Sequence, residues 1–504
     1  MFLIHQNLSS QYFINSKDKN RVNSGPIMII LILITFVTLC PLLQAQNLRD
    51  DPRVASALNL LEIWVDAQLA YERIPGISMG VVYDQELIWS RGFGYADFER
   101  KIPATPRTIY SICSISKLFT SIGVLQLRDR GLLRLDDPVA KHLPWFNIAQ
   151  THEDSPPITI EGLLTHSSGL PRESDFPYWT EASFPSRKEM IEQLSKQKTL
   201  YPARMVFQYS NLGLSLAGEI ITQVSGNPYP DYVKQNILDP LDLGDTSPEI
   251  PLEKRGGQLA TGYGSFKRNG NRPTMPSYKV RGIAPAAGYA STVEDLVKFA
   301  SWQFRLLEKE GNEILAANTL REMHRVHWLD PNWRTTWGLG FSVWRDKDKT
   351  FVGHGGSCPG YRTHLSLRPQ EKFAAIFMTN AQGVNTRMYT QRAYDIVAPV
   401  IAEVIASPEE GKEPDIKLLR YTGLYERPLG GETVVLIWKD ELAMVSLPTE
   451  NPLDSLTKLK HTGEHTFRRV RDDDELGEEV KFEVGDDGKV IRVWRNSNYS
   501  VKTK

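Results

Sequence analysis

The chain has 504 residues, with 59 basic and 60 acidic side chains and a formal net charge of −1. Hydrophobic residues make up 41% and charged residues 24%, the balance of a globular protein with a sizeable core and more than one domain. Near-neutral charge, without a basic stripe interleaved with aromatics, argues against nucleic acid as a partner. The three cysteines, Cys40, Cys113 and Cys358, show no metal-ligand spacing and make no disulfide framework.

Residues 1–46 read as a targeting segment. Lys17, Lys19 and Arg21 precede an uncharged run over 27–43, and Leu43-Gln44-Ala45 has the small-residue character of a cleavage site. A cleaved signal peptide is the reading. An uncleaved membrane anchor through residues 27–43 is the alternative, and a start at Met28 is a third. Either of the first two places the protein outside the cytoplasm, periplasmic or secreted.

Beyond it, 51–71 carries an amphipathic helical pattern broken by Pro75-Gly76. Strands are expected over 77–83 and 86–93, around an Asp84-Gln85 turn. A helical pattern follows Ser114 and closes at Gly131. Short helices and loops fill 136–200, and Tyr209-Ser210-Asn211 opens a helix running to 224. Residues 251–284, rich in Gly, Pro, Lys and Arg, read as surface loops. A helix over 291–304 has Ser291 or Thr292 as its N-cap. Strand character recurs over 337–344, 351–354, 363–368 and 374–379, and a helix over 390–405 ends the domain. This order suits an α+β domain in which both ends of the chain build an antiparallel sheet, with flanking helices and a helical subdomain. The domain is expected over 47–406. Ser407 to Pro414 has linker composition, giving a linker over 407–415. Residues 416–504 alternate short β-like runs with Gly-Gly and Asp-Gly turns, the texture of a small all-β barrel or half-barrel.

The chemistry-bearing residues begin with Ser114 and Lys117, three apart and so on one helix face. A serine there can attack a carbonyl while the lysine manages its proton. Helix N-terminal N–H groups favour a developing oxyanion. Ser-x-x-Lys is a weak motif, also met at Ser16, Ser195 and Ser455. Only Ser114 stands before an apolar helical run in the globular body. Two further elements strengthen it. Tyr209-Ser210-Asn211 offers a phenol whose ionised form a nearby ammonium would favour, and an amide able to hold both lysine and substrate. His354-Gly355-Gly356-Ser357 ends an apolar strand in small residues, against which a substrate backbone can lie.

With this ordered trio the chain resembles the serine β-lactamase and penicillin-binding-protein superfamily, in its class C β-lactamase, D-aminopeptidase and esterase branch. The resemblance runs from about residue 55 to 405. It includes Leu135-Asp136-Asp137-Pro138, the stretch 163–171 reading LLTHSSGLP, and the stretch 285–292 reading PAAGYAST. The tail from Tyr421 resembles the lipocalin-like domain appended to many relatives. The resemblance implies a β-lactamase/transpeptidase-like fold and a Ser114 acyl-enzyme. Lys117 and Tyr209 would share the proton work. Asn211, His354, Gly355 and Gly356 would bind substrate, and the N–H groups of Ser114 and Ser357 would form the oxyanion hole. It implies no cofactor and no metal, a small-molecule or peptide substrate, and leaves a homo-oligomer open. His354 stands where β-lactamases carry lysine, exchanging a permanent cation for a group that titrates near neutrality. Weak recognition of carboxylate-bearing β-lactams is then expected, with better turnover of neutral esters or amides. Cys113 and Cys358, brought near each other by the resemblance, are expected as buried free thiols rather than a bridge. An exported hydrolase of amides or esters is therefore expected. The alternatives are a true β-lactamase and a non-catalytic penicillin-binding or scaffold protein.

Overall fold

The computed structural model describes residues 48–407 and 415–503. The expected targeting segment and most of the expected linker lie outside the described residues.

A helix α1 (Pro52–Tyr71) starts on the Asp51 cap, whose carboxylate accepts from the Arg53 N–H at 2.8 Å. It leads into β1 (Gly76–Tyr83), which turns through Asp84 (φ 56°) into β2 (Glu86–Asp97). Seven further strands join the same sheet. They are β3 (Ile102–Pro103), β4 (Trp328–Leu329), β5 (Thr336–Trp337), β6 (Ser342–Asp346), β7 (Lys349–Cys358), β8 (Tyr361–Arg368) and β9 (Phe373–Thr379). Their order is β3-β2-β1-β9-β8-β7-β6-β5-β4, with antiparallel neighbours throughout. Ile77 pairs with Thr379, so the first strand of the domain lies beside its last.

β9 reads FAAIFMT and is buried at every position, because helices cover both faces of the sheet. On one face lies α4 (Val293–Lys309), capped by Thr292 accepting from the Asp295 N–H at 3.1 Å. It approaches β1 so closely that a Cβ on Gly80 would meet the Val293 side chain at 2.6 Å. On the other face α1 packs with α5 (Thr386–Ala406), and Trp64, Phe377 and Tyr389 share one cluster. The helical part beside the sheet centres on α2 (Ser116–Asp129) and α3 (Asn211–Ser225), which bury their apolar faces against each other.

The structure refines the sequence expectations at three places. Ser114 lies in a 3-10 turn (Cys113–Ile115) that precedes α2 rather than in the helix itself. The strand expected over 337–344 is broken, since Gly340 takes φ +80° where the chain closes on Ser121. Residues 171–200 hold two short helices, of which Arg187–Leu194 owes its start to a Ser186–Glu189 capping box.

The C-terminal part is a closed barrel of eight antiparallel strands, which settles the choice between barrel and half-barrel. In chain order they are β10 (Gly423–Glu426), β11 (Glu432–Trp438), β12 (Glu441–Leu447), β13 (Leu456–Gly463), β14 (Thr466–Val470), β15 (Leu476–Val484), β16 (Val490–Arg495) and β17 (Asn498–Lys502). Tyr421, Tyr425, Phe467 and Phe482 fill one end of its interior. The alternate residues Val434, Leu436, Val445 and Leu447 face outward and join the cluster of α1 and α5. Trp64 Nε1 donates to the Thr449 carbonyl at 2.9 Å across this seam, and the Lys439 N–H to Ser56 Oγ at 2.7 Å. Among the described residues no helix is long and apolar enough to cross a membrane.

Candidate active site

The nucleophile turn, the start of α3 and the end of β7 converge on one cleft. Ser114 is partly accessible at its floor. Cys113, beside it, holds φ +51°, a left-handed conformation that a non-glycine residue adopts only when its surroundings impose it. Those surroundings are close. A Cβ on Gly356 would collide with the Ile112 carbonyl and the Thr363 hydroxyl, and Thr363 Oγ1 donates to that carbonyl at 3.1 Å. Cys113 is disulfide-bonded to Cys358, with Cα atoms 5.7 Å apart. The expectation of two free thiols is thus overturned. Positive φ at Cys113 and the glycine contact at Gly356 bring the two chain segments within bridging distance, which spacing in sequence does not reveal.

Lys117 is fully buried one helical turn beyond Ser114. Its Nζ donates to Asn211 Oδ1 and to the Ala286 carbonyl, each at 2.7 Å, and lies 3.3 Å from Ser114 Oγ. Burial pushes its pKa well below the ordinary lysine range. A neutral amine has two N–H bonds and one lone pair. The two carbonyl acceptors take the N–H bonds, so the lone pair is left for the Ser114 hydroxyl proton. Tyr209, hydrogen-bonded to Ser114, is pushed up from the ordinary phenol value, again by burial. Amine with phenol and ammonium with phenolate hold the same number of protons, and burial favours the uncharged pair. The expectation of a phenolate at Tyr209 is therefore reversed at rest.

Asn211 is held from both sides, because its Nδ2 donates to Glu173 Oε1 at 2.8 Å. Glu173 also pairs with Arg172 (3.2 Å), accepts from the Tyr178 hydroxyl, and raises the Lys117 pKa by its charge. The Arg172 guanidinium lies over the Tyr209 ring at 4.8 Å, as does the Lys117 amine on its own side. His166 packs its ring 4.2 Å from that of Tyr209, and its Nδ1 accepts from the Ser210 N–H at 3.1 Å. Sequence reasoning missed Arg172 and Glu173, though they directly follow LLTHSSGLP. A charged pair after a buried run was the available signal.

His354 is 4% exposed, with its ring 5.4 Å from Trp337 and 6.3 Å from Tyr209. Its Nδ1–H donates to the Gly355 carbonyl at 2.6 Å, and its buried Nε2 has no hydrogen-bond partner among the described residues. Burial, then the nearby Lys117, lowers its pKa to about 3. It is neutral across the physiological range and does not titrate near neutrality as expected from sequence. Pairing of β6 with β7 stops at Gly353, while β8 continues along residues 354–358 on the other side. Gly355 and Ser357 are exposed along the edge left free, where an extended substrate can add as a strand. The cleft has two lobes of about 520 and 380 Å³ that share Ser114, Arg172 and Ser357. Arg362 and Arg387 line the smaller lobe with His354, and Lys267 the larger. The three other Ser-x-x-Lys serines fall away: Ser195 caps a helix C-terminus, Ser455 precedes a barrel strand, and Ser16 lies outside the described residues.

A serine hydroxyl, a buried amine, a phenol and a fixed amide thus stand together beside a free strand edge. The family model named Beta-lactamase matches residues 61–398, and the chain belongs to that family of serine hydrolases. Among curated proteins it is similar to beta-lactamase-like protein 2 of Dictyostelium discoideum, 28% identical over 415 residues, covering 80% of this chain and 74% of that one. Among solved structures it is similar to the octameric penicillin-binding protein homologue of Pyrococcus abyssi. That match has TM-score 0.60 and 25% identity, over 88% of this chain and 100% of that chain. It is also similar to the D-amino acid amidase of Ochrobactrum anthropi SV3, with TM-score 0.55 and 25% identity, over 70% and 99% of the two chains.

Proposed function

We propose that this chain is an exported serine hydrolase that cleaves amide or ester bonds through an acyl-enzyme on Ser114. The observation that carries the reading is the Lys117 amine, whose two N–H bonds are engaged by Asn211 and Ala286 while its remaining valence faces Ser114 Oγ. Ser114 Oγ attacks the substrate carbonyl carbon as its proton passes to Lys117 Nζ. The N–H groups of Ser114 and Ser357 receive the oxyanion. Tyr209 gives its proton to the departing nitrogen or oxygen and recovers one from Lys117. Water then reverses the sequence and frees the acid. The free edge at 354–358 aligns the chain of the substrate, and Asn211 receives its acyl-side amide. The Cys113–Cys358 bridge supports an oxidising compartment, hence export.

D-amino-acid amides and peptides, peptidoglycan fragments and small esters are the substrate classes. The D-amino acid amidase among the structural neighbours supports the first. A class C-like β-lactamase is the second reading. His354 brings no charge, but Arg362 and Arg387 stand at the same end of the cleft and can meet a carboxylate in its place. Comparing kcat/KM for a D-alanyl amide, a neutral p-nitrophenyl ester and a cephalosporin tests both. Arg362→Gln with Arg387→Gln should lower turnover of the carboxylate-bearing substrate about tenfold or more, leaving the neutral ester unchanged. A folded enzyme that hydrolyses none of the three overturns the proposal.

A further inference from the structure

The barrel has two unlike ends. Aromatic rings fill one, whereas a cavity of about 720 Å³ opens at the other, floored by Met444, Val480 and Val493. Register fixes what else faces that space. Arg495 lies opposite the inward Val480, and Arg469 opposite the inward Leu459, so both side chains leave the inner face and line the mouth, Arg469 at its exposed rim. Arg427 follows the inward Tyr425 by two residues and closes the rim. Glu478 is the acidic residue of the lining, and it pairs with Arg469 at 3.3 Å. Arg427 and Arg495 have no side-chain partner among the described residues. Partial burial, and then the nearby Arg427, disfavours the charge of Arg495. The acidic turn 472–475 joins two strands at this end, but its side chains are exposed and stand outside the lining. The buried Thr433 hydroxyl, opposite the inward Tyr425, also lacks a partner among the described residues. Arg427 is exposed at the rim, but Arg495 is half-buried over an apolar floor without a partner, an arrangement that costs stability and that folding alone does not require.

We propose that this mouth is a second binding site, separate from the Ser114 cleft, for a compact amphiphilic carboxylate. The head is gripped by Arg427 and Arg495, and the alkyl or aryl part rests on Met444, Val480 and Val493. The filled lower barrel limits the tail to a medium length. Guanidinium groups suit the head because they present paired donors to a carboxylate. The two sites share no lining residue.

The test is calorimetric titration of the full chain with octanoate and, as the neutral control, octanol. Octanoate should bind saturably and more tightly than octanol. Arg495→Gln and Arg427→Gln should each weaken octanoate about tenfold or more and leave octanol unchanged. Arg492→Gln, at the outward residue paired with Glu483 at 3.2 Å, should change neither. Without ligand, Arg495→Gln should melt no lower than the parent, because it removes an uncompensated charge. Hydrolysis of a short neutral ester should persist with octanoate bound. The proposal is overturned if octanoate fails to saturate, if octanol binds equally, or if neither arginine variant alters binding. Competitive inhibition that survives both variants places the ligand in the Ser114 cleft and overturns it as well. So does self-association that Arg495→Gln abolishes without ligand, which assigns the mouth to a second copy.

Discussion

At the scale of single residues, the site is governed by burial more than by charge pairing. Lys117, Tyr209 and His354 are each driven toward the uncharged form, first by desolvation. Two consequences can be measured. No limb of the kcat/KM profile for a neutral ester should fall near pH 6.5 on account of His354, because its pKa lies at about 3. Glu173 raises the Lys117 pKa, so Glu173→Gln should move the acid limb that reports Lys117 to lower pH. An unmoved limb would detach Lys117 from the rate. The stability sign follows from the same shift. Between its lowered folded pKa and about 10.4, the unfolded chain holds a proton on Lys117 that the folded chain does not. Its contribution to stability therefore rises with pH through that window and is lost as pH falls through the folded value. Lys117→Met should flatten this slope in thermal melts recorded from pH 6 to 10 and abolish turnover. A slope unchanged by the substitution would mean that the amine is charged in the fold.

At the scale of elements, the contact between the nucleophile turn and β7 sets the geometry. Gly356→Ala places a methyl against the Ile112 carbonyl and Thr363, and must displace the strand from Ser114. A misplacement of that kind costs about a hundredfold in kcat/KM. Gly355→Ala meets the His364 ring edge at 3.4 Å and the Thr363 carbonyl at 3.8 Å, both without a clash, and should leave the fold intact, raising KM at the substrate edge. Equal kcat/KM for the two variants would remove this contact from the account. Much at this scale was legible beforehand. Hydrophobic period gave α1, α4 and the paired strands 77–83 and 86–93, and the motif order brought Ser114, Lys117, Tyr209, Asn211 and His354 to one cleft. What stayed hidden depends on contacts distant in sequence. Burial of His354 arises from Trp337 and Tyr209, the Lys117 pKa from total enclosure, and the disulfide from φ at Cys113. None of these leaves a local pattern. Arg172 and Glu173 were visible as residues, but their role comes from Asn211, which lies 38 positions from Glu173.

At the scale of the molecule, the barrel is joined to the hydrolase part by a shared apolar seam. The sequence places a small β domain behind a linker, and in the structure Val434, Leu436, Val445 and Leu447 of that domain are buried with α1 and α5. Leu436→Asp buries an unpaired carboxylate there. It should lower the melting temperature by several degrees, roughly 2–4 °C for each kcal/mol lost in a domain of about 150–250 residues. A melting temperature equal to the parent's would show that the two parts are independent. The disulfide spans 245 residues and, on chain entropy alone, contributes about 5.5 kcal/mol. Full reduction should lower thermal stability accordingly, and unchanged melting after complete reduction would contradict that assignment. The central claim, a Ser114 acyl-enzyme served by Lys117, is tested most directly by peptide mass spectrometry of the protein treated with a fluorophosphonate. The account predicts one adduct per chain, on Ser114, absent from Ser114→Ala and slowed strongly in Lys117→Met. An adduct on another serine, or labelling that persists in Ser114→Ala, would contradict it.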